Sequence, residues 1–144
     1  MAESHNPGDV WQPFGAFSMV VLQGEGQVVH LKGQVALDAA GAVVGAGDMR
    51  AQVRQVLGNI QTVLAGLGGR MSDIVSLTHY TTDIAAFMQS GDIRQAFFSA
   101  PYPVTTTIQV AALYDPALMI EITAMAEIPR DRFQRPAQAE AMHG

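Results

Sequence analysis

The sequence predicts an α+β domain in which a mixed β-sheet carries two helices on one of its faces. Apolar and polar residues alternate with a period of two in several short segments, and the period changes to 3.6 from Asp48 onward. Glycine and proline turns separate these segments. Their order along the chain is β-β-α-β-α-β-β, which is compatible with one layer of sheet and one layer of helices.

The composition describes one domain that can bury a sizeable core. Of the 144 residues, 49% are apolar and 15% are charged. The net charge of −5 and the scattered positions of the eight basic residues provide no basic surface for nucleic acid. No apolar run is long enough to span a bilayer, the first residues lack the features of a secretory signal, and there is no cysteine. We therefore expect a cytoplasmic protein that binds neither nucleic acid nor membranes.

The first part of the chain predicts an arm followed by two strands. Residues 1–16 are polar and interrupted by proline and glycine, which is typical of a flexible arm. Residues 17–23 and 27–36 predict two strands joined by a hairpin turn at Gly24-Glu25-Gly26.

Two amphipathic helices follow. The first begins at the N-cap Asp48 and ends at Gly68-Gly69. After a β-branched strand at residues 73–82, the second helix is predicted from about residue 83 to residue 98. Gly91 lies in the interior of this predicted helix, where glycine costs about 1 kcal/mol relative to alanine.

The last apolar region, residues 103–127, predicts two strands joined at a tight corner that contains Tyr114. Pro129 then ends the domain, which spans residues 17–129. Residues 130–144 are polar and rich in alanine and glutamine, and they predict a flexible tail.

Glu121 is the first candidate functional residue. It stands between Ile120 and Ile122, where a carboxylate costs free energy unless a partner or a function holds it there. The preceding strand provides Thr105 and Thr107 on one face and no cation, so these hydroxyls are candidates for binding a small polar ligand. Pairing of Glu121 with a cation of a neighbouring subunit is the alternative interpretation.

The strands have a second face of mixed polar and apolar character. In the second strand the alternation predicts one face with Val29, Leu31 and Val35 and an opposite face with His30, Lys32 and Gln34. Such a face is too apolar for water and too polar for a dry core. We therefore expect it to pack on other subunits, with polar groups lining clefts between them.

Lys32 is the second candidate because lysine is rarely buried in an apolar strand unless it is paired. It could bind a substrate carboxylate or Glu121, form a Schiff base, or extend its aliphatic stem to solvent. His30 and His79 lie on different strands without the spacing of metal ligands. No metal and no cofactor are predicted.

The chain resembles the reactive intermediate deaminase family, the YjgF-like proteins formerly labelled endoribonuclease L-PSP. The resemblance covers roughly residues 17–129 and lies in the segments 32–35, 52–67, 73–77, 95–98 and 120–126. It implies a chorismate-mutase-like fold, a homotrimer, and three clefts at the subunit interfaces.

Members of that family with known activity hydrolyse short-lived enamines and imines, such as 2-aminoacrylate, to 2-keto acids and ammonia. The resemblance implies that Glu121 positions the attacking water and that the backbone at Gly33 contacts the substrate. Where the family has a tyrosine, a serine, an arginine that clamps the substrate carboxylate, and a helix asparagine, this chain has Phe17, Lys32, Thr105 and Gly91.

The sequence thus predicts a cofactor-free hydrolytic deaminase of small enamine, imine or related unsaturated acids, with Glu121 as the acid/base. The residues expected to bind the substrate are Phe17, Lys32, Gly33, Thr105, Thr107 and Tyr114. Two alternatives are a non-catalytic trimer that binds small metabolites or has a regulatory role, and a specialised catabolic enzyme that acts on a ring-cleavage product or another unsaturated substrate.

Overall fold

The computed structural model describes residues 2–136 of the chain. The strands are β1 (Glu3–His5), β2 (Val20–Leu22), β3 (Gln27–His30), β4 (Gln34–Val35), β5 (Ile74–Thr81), β6 (Val104–Gln109) and β7 (Ile120–Ile128). The helices are α1 (Met49–Ala65), α2 (Ile84–Met88) and α3 (Gly91–Phe97). A short 3-10 turn at Met71–Asp73 precedes β5.

The main sheet has five strands. Together with the layer of helices it encloses one hydrophobic core. Strands β3, β7, β5 and β6 lie side by side in that order, and β4 also pairs with β7. Strands β5 and β6 are parallel, whereas β7 is antiparallel to β3, β4 and β5. Buried residues of all three helices, of β5 and of alternate positions in β7 form a single cluster. This confirms the predicted α+β class with a mixed sheet.

Helix α1 follows the sequence prediction closely. The side chain of Asp48 accepts a hydrogen bond from the backbone N–H of Ala51 at 3.1 Å, which caps the first turn. At the other end Gly68 has a φ of +75°, a conformation that L side chains rarely adopt. The N–H of Gly69 then donates to the carbonyl of Leu64 at 2.8 Å and closes the helix.

The second predicted helix is in fact two helices, so the prediction of a continuous helix over residues 83–98 is wrong. Helix α2 ends at Met88, and α3 begins at Gly91. Between them the hydroxyl of Ser90 donates to the carbonyl of Ala86 at 3.1 Å, a local bond that competes with the helix backbone. Gly91 is therefore the first residue of α3 and not an interior glycine.

The strands β6 and β7 are not neighbours, so the predicted strand pair over residues 103–127 is wrong in its pairing. Strand β5 lies between them, and β6 is parallel to β5. Parallel strands need a crossover connection, which the segment from β5 to β6 supplies through α2 and α3. Residues 110–119 then connect the end of β6 to β7, which lies on the other side of β5.

The alternation predicted for residues 29–35 is also wrong beyond Leu31. Val29 lies opposite Ala126 in β7, whereas Gln34 lies opposite Ile122 and Val35 opposite Glu121. The register therefore shifts by one residue between β3 and β4. An extra residue of this kind reverses which face the following side chains occupy.

Both ends of the described chain contact the domain. Strand β1 pairs with β2 in a separate two-stranded sheet, and the hydroxyl of Ser4 donates to the carbonyl of Tyr102 at 3.0 Å. Because β2 pairs with β1 while β3 pairs with β7, the predicted hairpin between residues 17–23 and 27–36 is wrong. Arg132 binds the carboxylate of Asp73 through two N–H groups, at 2.6 and 3.1 Å. Residues 137–144 of the predicted tail lie outside the described residues. None of the described helices has the length and apolar character needed to cross a membrane.

Candidate functional site

A cavity of about 380 Å³ opens between the edge of the sheet and the helices. We call it the helix-side cavity. Its polar lining groups are His79 of β5, Arg94 and Gln95 of α3, and Thr105 and Thr107 of β6. The remaining lining residues are Trp11, Phe14, Gly15, Ala16, Phe17, Leu57, Leu77, Met88, Gly91 and Phe98.

The parallel pairing of β5 with β6 builds the sheet wall of this cavity. Thr105 lies beside Leu77, and Thr107 lies beside His79. The Nδ1 of His79 and the hydroxyl of Thr107 are 3.0 Å apart and share a hydrogen bond. His79 is only 1% exposed and lies 4.9 Å from the ring of Phe87. Burial and, to a smaller extent, the charge of Arg94 lower the pKa of His79 to about 3, so the imidazole is neutral near pH 7.

Arg94 is the functional candidate that the sequence analysis missed. Its guanidinium carbon lies 4.3 Å from the centre of the Phe87 ring, which is a cation–π contact. Its Nε is buried and has no hydrogen-bond partner in the described part of the chain. Burial lowers the pKa of Arg94, but a guanidinium stays charged at neutral pH. One signal was available, because Arg94 is the only basic residue between residues 71 and 129 apart from histidine.

Aromatic side chains surround the opening of the helix-side cavity. Trp11 and Phe14 stack with their ring centres 5.9 Å apart, and Phe17 meets Phe14 edge to face at 5.3 Å. Trp11 is 61% exposed and Phe14 is 79% exposed, so both rings border solvent. Phe17, a residue predicted to bind substrate, lies at this opening.

Glu121 and Gly33 lie together on the opposite face of the sheet. Glu121 is beside Tyr80 of β5, and Tyr80 is beside Ile108 of β6, whereas the buried His79 is beside Ile122. A Cβ atom added to Gly33 would overlap the Oε2 of Glu121 and lie 3.0 Å from its Cδ. A side chain at this position would therefore require the carboxylate of Glu121 to move.

The predicted site residues thus fall into two groups within one chain. Thr105, Thr107 and Phe17 line the helix-side cavity, and Glu121 and Gly33 lie across the sheet from it. We call Glu121 and Gly33 the outer-face pair.

Two predicted substrate-binding residues lie apart from the helix-side cavity. Lys32 is exposed, and none of the ion pairs among residues 2–136 involves Lys32 or Glu121. Tyr114 is 71% exposed in the connection to β7 and is not among the residues lining the cavity. Over the described residues, no group of three or more histidine and carboxylate side chains is placed to hold a metal ion.

The topology places the chain among two-layer α+β proteins whose sheet carries helices on one face only. Within that class, a family model described as endoribonuclease L-PSP matches residues 9–128. Because the match covers most of the chain, this protein belongs to the endoribonuclease L-PSP family, which includes the Rid and YjgF proteins.

Known proteins with related sequences support the same assignment. Protein DfrA of Myxococcus xanthus is 33% identical over 112 residues, which cover 78% of this chain and 85% of that protein. A 2-iminobutanoate/2-iminopropanoate deaminase of Dermatophagoides farinae is 29% identical over 102 residues, which cover 71% of this chain and 78% of the deaminase.

Solved structures agree with the fold. The crystal structure of YyfB, a Rid-family protein from Yersinia pestis, superposes with a TM-score of 0.77 at 35% identity and covers 88% of this chain and 98% of YyfB. RidA from the Antarctic bacterium Psychrobacter superposes with a TM-score of 0.66 at 29% identity, and the match covers 81% of this chain and 91% of RidA.

Proposed function

We propose that this protein is a cofactor-free hydrolase that deaminates small enamines, imines or related unsaturated acids. The contact between Glu121 and Gly33 is the observation that carries the proposal. It holds a carboxylate against a backbone that has no side chain to obstruct a ligand. Membership in the family and the likeness to a protein named as an imine deaminase support the reaction class.

In the proposed reaction Glu121 acts first as a general base and then as a general acid. It removes a proton from a water molecule while the water oxygen bonds to the imine carbon, and the C=N bond becomes a single bond. Glu121 then returns the proton to the nitrogen, which gives a carbinolamine with one hydroxyl and one amino group. In a second step Glu121 removes the hydroxyl proton and transfers it to the amino nitrogen, so the C=O bond forms as the C–N bond breaks and ammonia leaves. One imine and one water give one carbonyl compound and one ammonia, with no redox change.

We propose further that a complete site forms between subunits of a homotrimer. The outer-face pair and the helix-side cavity are on opposite faces of one sheet, so one chain does not bring them together. Strand β6 is the last strand of the described sheet and pairs only with β5. Its free edge is a suitable place for a second subunit, whose outer-face pair would then face Thr105 and Thr107 of the first.

The test is ammonia release from imines generated in solution, with 2-aminoacrylate as the first substrate. We expect wild-type protein to accelerate ammonia release. Glu121→Gln keeps the size of the side chain but removes the base, so we expect the rate to fall by about 100-fold or more. Glu25→Gln, which changes an exposed carboxylate in a loop, is the matched control and is expected to retain the rate. An unchanged rate in Glu121→Gln would overturn the mechanism.

A non-catalytic binding protein is the second candidate function. The neutral His79 and the hydroxyls of Thr105 and Thr107 in the helix-side cavity favour it, because none of these groups is a strong base at neutral pH. Saturable binding of small acids without ammonia release from any imine would select this candidate.

Ribonuclease activity, which the family description names, is not part of the proposal. The chain carries a net charge of −5, and its eight basic residues are spread over the sequence. Nucleic-acid binding depends on neutralising several phosphates with clustered lysine and arginine.

A further inference from the structure

The helix-side cavity contains a positive charge that no described residue neutralises. None of the ion pairs among residues 2–136 involves Arg94, and no residue lining the cavity is acidic. Asp92, the nearest acid along the chain, is bound to Arg50 at 2.7 Å. Arg94 is partly buried, and partial burial of a cation without a counter-charge costs free energy, so this arrangement favours an anionic ligand.

The orientation of Arg94 suits a carboxylate. The contact with Phe87 restrains the guanidinium, and none of the described ion pairs involves it. Arginine presents its N–H groups as a planar fork that matches the two oxygens of a carboxylate. Thr105 and Thr107 line the same cavity and offer hydroxyls beside that fork.

The rest of the helix-side cavity is apolar and larger than a three-carbon acid requires. Its volume of about 380 Å³ is within the range of pockets that enclose ligands of many atoms. Four aromatic residues line it, namely Trp11, Phe14, Phe17 and Phe98. Aromatic side chains favour apolar and aromatic ligands through burial and ring stacking.

We propose that Arg94 anchors the carboxylate of a monocarboxylic acid with a bulky apolar, preferably aromatic, side chain, which the aromatic residues of the helix-side cavity enclose. The inference rests on the proposed function in one respect: the natural ligand is taken to be a 2-imino acid with such a side chain. Binding of an unreactive acid tests the anchor separately from turnover.

Trp11 provides the readout, because it is the only tryptophan of the chain and lines the cavity. The fluorescence of wild-type protein is titrated with 3-phenylpropanoate, with its neutral amide 3-phenylpropanamide, and with propanoate. We expect the aromatic acid to bind about tenfold or more tightly than either the amide or propanoate, since only the aromatic acid engages both the cation and the apolar wall.

Variants of Arg94 test whether this residue binds the carboxylate of the ligand. Arg94→Gln is expected to weaken 3-phenylpropanoate binding by about tenfold to a hundredfold and to leave the amide within about twofold. Arg94→Lys keeps the charge without the fork and is expected to be intermediate. Arg54→Gln removes an exposed arginine of α1 and is expected to bind like wild type. Thermal melting of each variant verifies that it is folded.

Three results would overturn the anchor: equal binding of acid and amide, unchanged acid binding in folded Arg94→Gln, or no saturable binding of the aromatic acid. Propanoate binding as tight as that of 3-phenylpropanoate would overturn the aromatic preference. If the acid binds as expected but no imine is hydrolysed, the proposed function fails and the anchor stands. If 2-aminoacrylate is hydrolysed but the acid does not bind, the anchor alone fails.

Discussion

The two faces of the sheet carry different chemistry, and neither face carries a complete site. On the outer face, Glu121 is held beside Gly33 without an ion pair among residues 2–136. On the helix side, Arg94 and the Thr107–His79 pair line a cavity that contains no carboxylate. The carboxylate that we propose transfers the proton is thus separated by the sheet from the groups that we propose hold an acid. This separation is the reason for our proposal that association with a second subunit completes the site.

Co-expression of two inactive variants tests directly whether the two faces meet between subunits. The recovery of activity is the largest effect that we expect. Glu121→Gln and Arg94→Gln are each expected to be nearly inactive. If the two halves meet across an interface, co-expressed trimers contain clefts in which both native residues are present. Random assembly makes this true for about a quarter of the clefts, so we expect up to about a quarter of wild-type activity.

The matched control for mixing is co-expression of Glu121→Gln with the Glu121→Gln/Arg94→Gln double variant. No cleft then contains Glu121, and we expect no recovery of ammonia release. If the first mixture is as inactive as this control, the two faces do not combine into one site.

Gly33→Ala tests the outer face by itself and should have the second largest effect. The added methyl group would overlap the carboxylate of Glu121 and displace it, so we expect imine hydrolysis to fall by about tenfold or more. Binding of 3-phenylpropanoate should change less. Gly58→Ala is the control, since a Cβ there meets nothing within 4 Å, and alanine at that position in α1 should stabilise the protein by about 1 kcal/mol. Equal hydrolysis rates in the two variants would argue against the close contact at Gly33.

The helix side should also make folding stability depend on pH. The pKa of His79 is lowered from 6.5 to about 3 by burial, so between these values the unfolded chain binds a proton that the folded chain does not. Stability is therefore complete above about pH 6.5 and is lost as the pH falls toward 3, by an amount of the order of a few kcal/mol. Urea unfolding between pH 7 and pH 4 measures the loss.

His79→Gln should flatten this dependence, because it removes the buried titrating group. His30→Gln changes an exposed histidine of β3 and should retain the wild-type dependence. If all three proteins lose stability equally on acidification, the imidazole of His79 is not the cause.

Features that depend on neighbouring residues were predictable from the sequence. Helix α1 is an example, because its cap at Asp48 and its buried stripe are local patterns that the structure confirms. The break between α2 and α3 at Ser90 was not predicted, because the helical spacing of apolar residues continues across it. The break involves a hydrogen bond from the Ser90 hydroxyl to the carbonyl of Ala86, which the apolar spacing does not indicate. The reversed alternation after Leu31 was missed because one added residue leaves no clear mark in a short apolar segment.

The sequence by itself determined the α+β class, the start of α1 at its cap Asp48, and the presence of a carboxylate in an apolar strand. Only the tertiary structure decided that β5 separates β6 from β7 and that Glu121 and Thr105 occupy opposite faces. It also decided that Arg94 lines the same cavity as Thr107. Local patterns depend on residues a few positions apart, whereas strand order and cavity walls depend on packing between segments that the chain keeps far apart in sequence.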